Sequence, residues 1–145
     1  MSESPVVTAR WSGDRVRFEV TDPRGHRVSV DEPVPLGQDQ AMDPAEMLLS
    51  ALASCSGISA LSLLQKMRQP VNSLEVRAQG HRQDDWPKAF TEIHLAFTVS
   101  GNGSFDRALV EKAINLAHSR YCPVSGTIQL GKDGCTVDAT VTIKQ

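Results

Sequence analysis

The sequence predicts an α+β protein with helices on antiparallel sheet, and three observations predict it. Val16, Phe18 and Val20 alternate with Arg15, Arg17 and Glu19, the period of two that a half-buried strand requires. The stretch from Pro44 to Arg68 lacks that alternation and carries no charge between Glu46 and Lys66, which marks a helix buried on every side. The segment from Phe105 to Arg120 repeats apolar residues at Leu109, Ala113, Leu116 and Ala117, the spacing of one helical face. At 145 residues, with about 100 to 200 residues per domain, one domain over 1–145 is expected.

The elements follow in order. A short strand near Val6 to Trp11 turns at Ser12, Gly13 and Asp14 into the strand of Val16, Phe18 and Val20. Asp22-Pro23-Arg24-Gly25 makes the next turn, rich in the residues that turns select. A third strand, Arg27 to Val30, gives way to a connecting loop from Asp31 to Met42. Asp43 is placed to cap the long helix, Pro44 suits its first position, and Glu46 and Lys66 suit the two ends of its dipole. Pro70 stops it.

Two strands then follow, around Leu74 to Gly80 and from Phe90 to Val99, with Ile93, Leu95, Phe97 and Val99 on one face. Ser104 can cap the second helix. Lys132-Asp133-Gly134 turns into a last strand with Cys135, Val137, Ala139, Val141 and Ile143 on one side. The predicted order is β-β-β-α-β-β-α-β.

The uncharged helix is long enough to span a bilayer by length alone. Its serines, and the amphipathic strands around it, argue for a soluble core instead. A chain this small would struggle to wrap such a helix, so a homodimer covering part of it is expected, with Ala51, Ala53, Ser54, Ser56 and Gly57 permitting close contact. The net charge of −2 gives no broad positive field for nucleic acid. Met1 to Arg10 has no signal-peptide pattern, so the cytoplasm is the expected compartment. Neither nucleic acid nor membrane is an expected partner.

Cys55, Cys122 and Cys135 are far apart in sequence and lack the short paired spacing of a zinc site. Cys135 reads as core by its strand parity. Cys55, among small residues in the uncharged helix, reads either as a packing residue or as a reactive thiol. Cys122 precedes Pro123. If Pro123 opens a helical turn, the Cys122 sulfur stands at a helix start where backbone N–H groups stabilise a thiolate; otherwise it is a turn residue. His26, His81, His94 and His118 show no metal-ligand spacing and read as surface or strand residues.

Asp43-Pro44-Ala45-Glu46-Met47-Leu48-Leu49-Ser50-Ala51-Leu52-Ala53-Ser54-Cys55 resembles the central-helix signature of the OsmC/Ohr proteins, and Ala117-His118-Ser119-Arg120-Tyr121-Cys122-Pro123-Val124-Ser125 resembles their second-cysteine motif. The resemblance covers nearly the whole chain and points to the OsmC-like branch. It implies an intertwined homodimer, with antiparallel sheets packed around long central helices and active sites at the subunit interface. It also implies thiol-dependent reduction of organic or small hydroperoxides in oxidative stress defence. Cys55 would attack the peroxide to give a sulfenic acid, Cys122 would close a disulfide with it, and a thiol or dithiol reductant would restore both. No cofactor and no metal is implied.

One departure bears on activation. The Ohr branch carries a glutamate directly after the helix proline, where it holds an arginine that polarises the attacking cysteine; Ala45 stands there instead, and Glu46 is one residue later. Glu46 and Cys55 are nine positions apart, about 2.5 turns, and so face opposite sides of the helix. Arg10, Arg15 and Arg17 are the early cations, with Arg10 ranked first from its strand in the resembling proteins. Glu46 is thus either a partner of such an arginine or a charge stabilising the helix start. A second reading follows from the departure, a non-catalytic dimer that binds an apolar small molecule at the interface.

Overall fold

In the computed structural model, which describes residues 4–130 and 134–145, the elements are β1 (Thr8–Trp11), β2 (Phe18–Thr21), β3 (Arg27–Val30), α1 (Pro44–Lys66), β4 (Ser73–Arg82), β5 (Phe90–Ser100), α2 (Arg107–Leu116), a single π-helical turn (Ala117–Tyr121), α3 (Pro123–Ile128) and β6 (Thr136–Lys144). The architecture is α+β, as expected, and its strands form two three-stranded sheets. Contacts divide the chain into two compact units, Met1–Leu48 and Leu49–Gln145.

The first unit is the meander β1-β2-β3, antiparallel throughout, with Arg10 opposite Glu19 and Phe18 opposite Val30. Val16 was expected inside the second strand. It lies instead in the turn before β2, because Arg15 takes a left-handed φ of 46° and Arg17 N–H donates to Asp14 C=O at 3.0 Å.

The segment after β3, read from sequence only as a connection, has an internal organiser. Asp31 is 2% exposed and its carboxylate accepts backbone N–H bonds from Glu32 (2.8 Å), Gln38 (3.2 Å) and Gln40 (3.2 Å). These amides, Glu32's first, hold the Asp31 carboxyl below the usual carboxylate range. Gly37 is required there: a Cβ would lie 2.1 Å from Glu32 C=O and 2.5 Å from Asp31 Oδ1.

Asp43 caps α1 reciprocally with Glu46. Glu46 N–H donates to Asp43 Oδ1 at 2.8 Å and Asp43 N–H to Glu46 Oε1 at 3.2 Å, a capping box that satisfies two otherwise orphaned donors. The helix ends at Lys66, two residues before the expected Arg68. Arg68 takes φ 57°, while Gln69 N–H reaches Leu64 C=O and Arg68 N–H reaches Gln65 C=O, both at 3.0 Å. These bonds are a Schellman stop, built here without glycine.

In the second unit the inward residues of β5, Ile93, Leu95, Phe97 and Val99, are at most 1% exposed. They pack with Leu52, Ala60 and Leu64 of α1 and with Val110, Ala113, Ile114 and Ala117. Each buried Val, Leu, Ile or Phe side chain among them contributes about 1.5 to 3 kcal/mol by leaving water. Asp106 caps α2, accepting from Leu109 N–H at 3.3 Å, where Ser104 was expected. The buried stripe accordingly runs through Val110 and Ile114, with Leu109 and Leu116 half-buried beside it.

β4 and β5 are antiparallel, but β6 runs parallel to β5, with Leu95 opposite Ala139 and Phe97 opposite Val141. The connection through α2, the π turn and α3 supplies the long crossover that a parallel pair needs. Cys135 is buried in the same core, as its parity indicated. Of the expected last turn, residues 132 and 133 lie outside the described residues.

Within a single chain α1 buries only the stripe Leu52, Ser56, Ala60 and Leu64. The far side leaves Ile58 71% and Leu61 37% exposed, over a groove of about 430 Å³ bordered by Ala53, Gly57, Leu74 and Val76. By length and composition α1 could cross a membrane, and one stripe of it is packed into the core of the second unit.

Candidate thiol site

The second-cysteine motif owes its local shape to Pro123. The π turn ends at Tyr121, Cys122 is extended at φ −95° and ψ 106°, and Pro123 occupies the first turn of α3, where its missing N–H costs nothing. Cys122 is therefore the N-cap, and Ser125 N–H donates to its Sγ at 3.3 Å. Of the two readings of Cys122, the helix-start geometry is the one found. Cys122 is 3% exposed.

The fold brings Cys55 to this motif. Its thiol is within hydrogen-bonding reach of Cys122 and is faced by the Val124 backbone amide. Ser59, four residues further along α1, donates from Oγ to Tyr121 C=O at 3.5 Å, a second tie between the helix and the motif. Burial, reinforced by the neighbouring Cys122 thiol, pushes the Cys55 thiol above its ordinary value; the Val124 amide opposes the shift. Beside it, the fully buried Ser56 hydroxyl has no hydrogen-bond partner among the described residues.

Three further residues shape the site. Ser125 is fully buried, and Gln129 Nε2 donates to Ser125 Oγ at 2.8 Å and to Ser125 C=O at 3.3 Å. Gly134 lies so close that a Cβ there would meet Gln129 C=O at 2.6 Å. The sequence placed Gly134 only in the turn before the last strand and did not single out Gln129. The available signal was position: once Cys122 is an N-cap, Ser125 is the third helical residue, and Gln129 follows one turn later.

His118 departs from its expected surface placement. It lies in the π turn, half-buried, with Nδ1 unpartnered among the described residues. Burial lowers its pKa, with the Asp138 carboxylate opposing. His94 sits on β5 with Nδ1 2.8 Å from Asp138 Oδ1 and Nε2 3.1 Å from Thr140 Oγ1. No group of three or more His, Cys, Asp or Glu side chains among the described residues is arranged to hold a metal.

The other named residues stand apart from the thiols in chain position. Glu46 takes part in the capping box at the start of α1. Arg10 belongs to the first unit, on the exposed strand β1. Arg15 donates to Pro35 C=O and Arg17 to Gln40 Oε1 at 2.7 Å, so these two arginines brace the loop that Asp31 organises. The first unit also carries an open apolar pocket of about 530 Å³, lined among others by Val16, Phe18, Val20, Leu36 and Met47.

Residues 37–138 match the family described as OsmC-like protein. Protein YhfA of Escherichia coli strain K12 is 39% identical over 101 residues, which span 70% of this chain and 72% of YhfA. The crystal structure of an OsmC-like protein from Mycoplasma pneumoniae superimposes with a TM-score of 0.83, at 20% identity and over 100% of both chains. That of an organic hydroperoxide resistance protein from Elizabethkingia anophelis superimposes with a TM-score of 0.69, at 20% identity and over 99% of both chains.

Proposed function

The chain belongs to the OsmC-like protein family, and on that premise we propose that it is a cysteine-based peroxidase acting on organic or small hydroperoxides, in oxidative stress defence in the cytoplasm. The observation that carries the reading is the meeting of Cys55 and Cys122, two thiols 67 positions apart in a chain of 145 residues, at one helix start. A fold relative described as an organic hydroperoxide resistance protein supports it.

In this reading the Cys55 thiolate attacks the terminal peroxide oxygen. The O–O bond breaks, the sulfur loses two electrons to give a sulfenic acid, and the alcohol leaves with a proton. The Cys122 thiolate then attacks that sulfur. An S–S bond replaces the S–O bond, and hydroxide leaves as water once protonated. An external thiol or dithiol returns two electrons through a mixed disulfide. We place Arg10 as the cation that polarises Cys55 across a homodimer, with Glu46 as its anchor, and we assign the uncovered apolar side of α1 to the dimer contact.

One observation favours the second reading, a non-catalytic dimer holding an apolar ligand. Burial disfavours the Cys55 thiolate, and a peroxidase needs that thiolate. Thiol titration of the native protein before and after one equivalent of an organic hydroperoxide separates the two. Loss of two thiols together is the expected result; loss of none rejects the peroxidase.

A further inference from the structure

We infer that Gln129 is a positioning residue for Cys122, acting through Ser125. The chain of contacts is short and complete. Ser125 N–H is the backbone donor to Cys122 Sγ, at 3.3 Å. The same residue is gripped three times by Gln129, whose own N–H donates to Ser125 C=O at 3.0 Å while Nε2 reaches Ser125 C=O and Oγ. Gln129 is in turn held from behind, since Gly134 packs against its carbonyl and Cys135 N–H donates to Ile128 C=O at 3.1 Å. The amide that meets the sulfur is thereby aimed by a side chain at the far end of α3.

The physical consequence concerns the thiolate. A donor fixed on a sulfur favours the charged form over the thiol, and a donor free to swing away favours it less. Gln129 is exposed, so it can be replaced without opening the core. The catalytic meaning of this relay rests on the peroxidase reading, in which the Cys122 thiolate attacks the sulfenic acid; the relay itself does not.

The test is the pH profile of iodoacetamide labelling at Cys122, resolved by mass spectrometry, in a Cys55→Ser background. Gln129→Met should move the labelling midpoint upward and slow labelling at pH 7 on the order of tenfold. Ser125→Ala keeps the backbone donor and the Nε2 bond to the carbonyl but removes the hydroxyl that Gln129 holds, so it should shift the midpoint in the same direction, and the double variant no further than Gln129→Met alone. An unchanged midpoint in Gln129→Met, or additive shifts, overturns the inference. So does faster labelling of Cys122 and Cys135 together, the mark of a merely structural role. With Cys55 present, Gln129→Met should lengthen the life of the sulfenic acid. If no variant consumes peroxide, the peroxidase reading fails while the labelling midpoint still decides the role of Gln129.

Discussion

Val124 and Ser125 are neighbours in sequence, yet their backbone amides face two different sulfurs, Val124 that of Cys55 and Ser125 that of Cys122. One turn of chain thus offers a donor to each thiol of the pair. Both sulfurs are held by the same short segment, and a change in that segment reaches both.

The order of reaction is the first prediction. Cys122→Ser should still consume one equivalent of hydroperoxide and accumulate a sulfenic acid that dimedone labels, whereas Cys55→Ser should consume almost none. The reverse pattern in the same labelling assay assigns the attack to Cys122.

The exposed apolar side of α1 predicts a dimer. Analytical ultracentrifugation at low micromolar concentration should show one species near twice the 15.8 kDa chain mass. Ile58→Glu, which puts a charge on that side, should shift the protein toward monomer. A folded wild-type monomer at that concentration rejects the arrangement.

Arg10→Met should leave folding intact while slowing peroxide consumption by on the order of 10², the cost of about 3 kcal/mol of lost charge stabilisation. A rate within a factor of two of wild type, measured by stopped-flow peroxide consumption, removes Arg10 from the site.

Glu46 can be tested for charge and for capping separately. Glu46→Gln preserves the reciprocal bond to Asp43 and should leave stability nearly unchanged, while Asp43→Ala should cost about 1 kcal/mol in urea denaturation. If Glu46→Gln nevertheless lowers the peroxide rate severalfold, the carboxylate acts as a charge.

Alkaline stability carries a sign. The Cys55 pKa is raised above the ordinary 9.0, chiefly by burial, so the folded protein holds this proton more tightly than the unfolded chain. Its contribution is fully present below pH 9 and is lost as pH rises through the folded value. The Tm should therefore fall between pH 8 and pH 10, and less so in Cys55→Ala. Cys135, also raised by burial, keeps part of the fall in that variant.

Much of this was legible in the chain itself because it depends on local pattern. The alternation of Ile93, Leu95, Phe97 and Val99 placed β5, the charge-free run after Glu46 placed α1, and Cys122 before Pro123 foretold the cap. What escaped depends on distant partners. Alternation at Val137, Ala139, Val141 and Ile143 is the same whichever way a strand runs, so the parallel pairing of β6 was not readable. Asp31 looked like any loop aspartate until its three amide donors were in place. His118, four residues past Ile114, borders the stripe through Val110 and Ile114, which a stripe drawn through Leu109 and Leu116 does not reach. The meeting of Cys55 with Cys122 came from family resemblance, since no periodicity links two residues so far apart.

The parallel pairing of β6 with β5 also sets an order of events during folding. β4 and β5 can zip as a hairpin from nearby chain, but β6 must wait until the whole crossover has been made, and distant pairings form slowly. The braces on α3 at Gly134 and Cys135 arrive only with β6. In a nascent or partly folded chain, then, Cys122 has its proline but not its fixed neighbours, and its thiolate is open to exchange with any passing disulfide, whose departing sulfur leaves as a thiolate. A lesion in β6 should therefore first show as mixed-disulfide by-products.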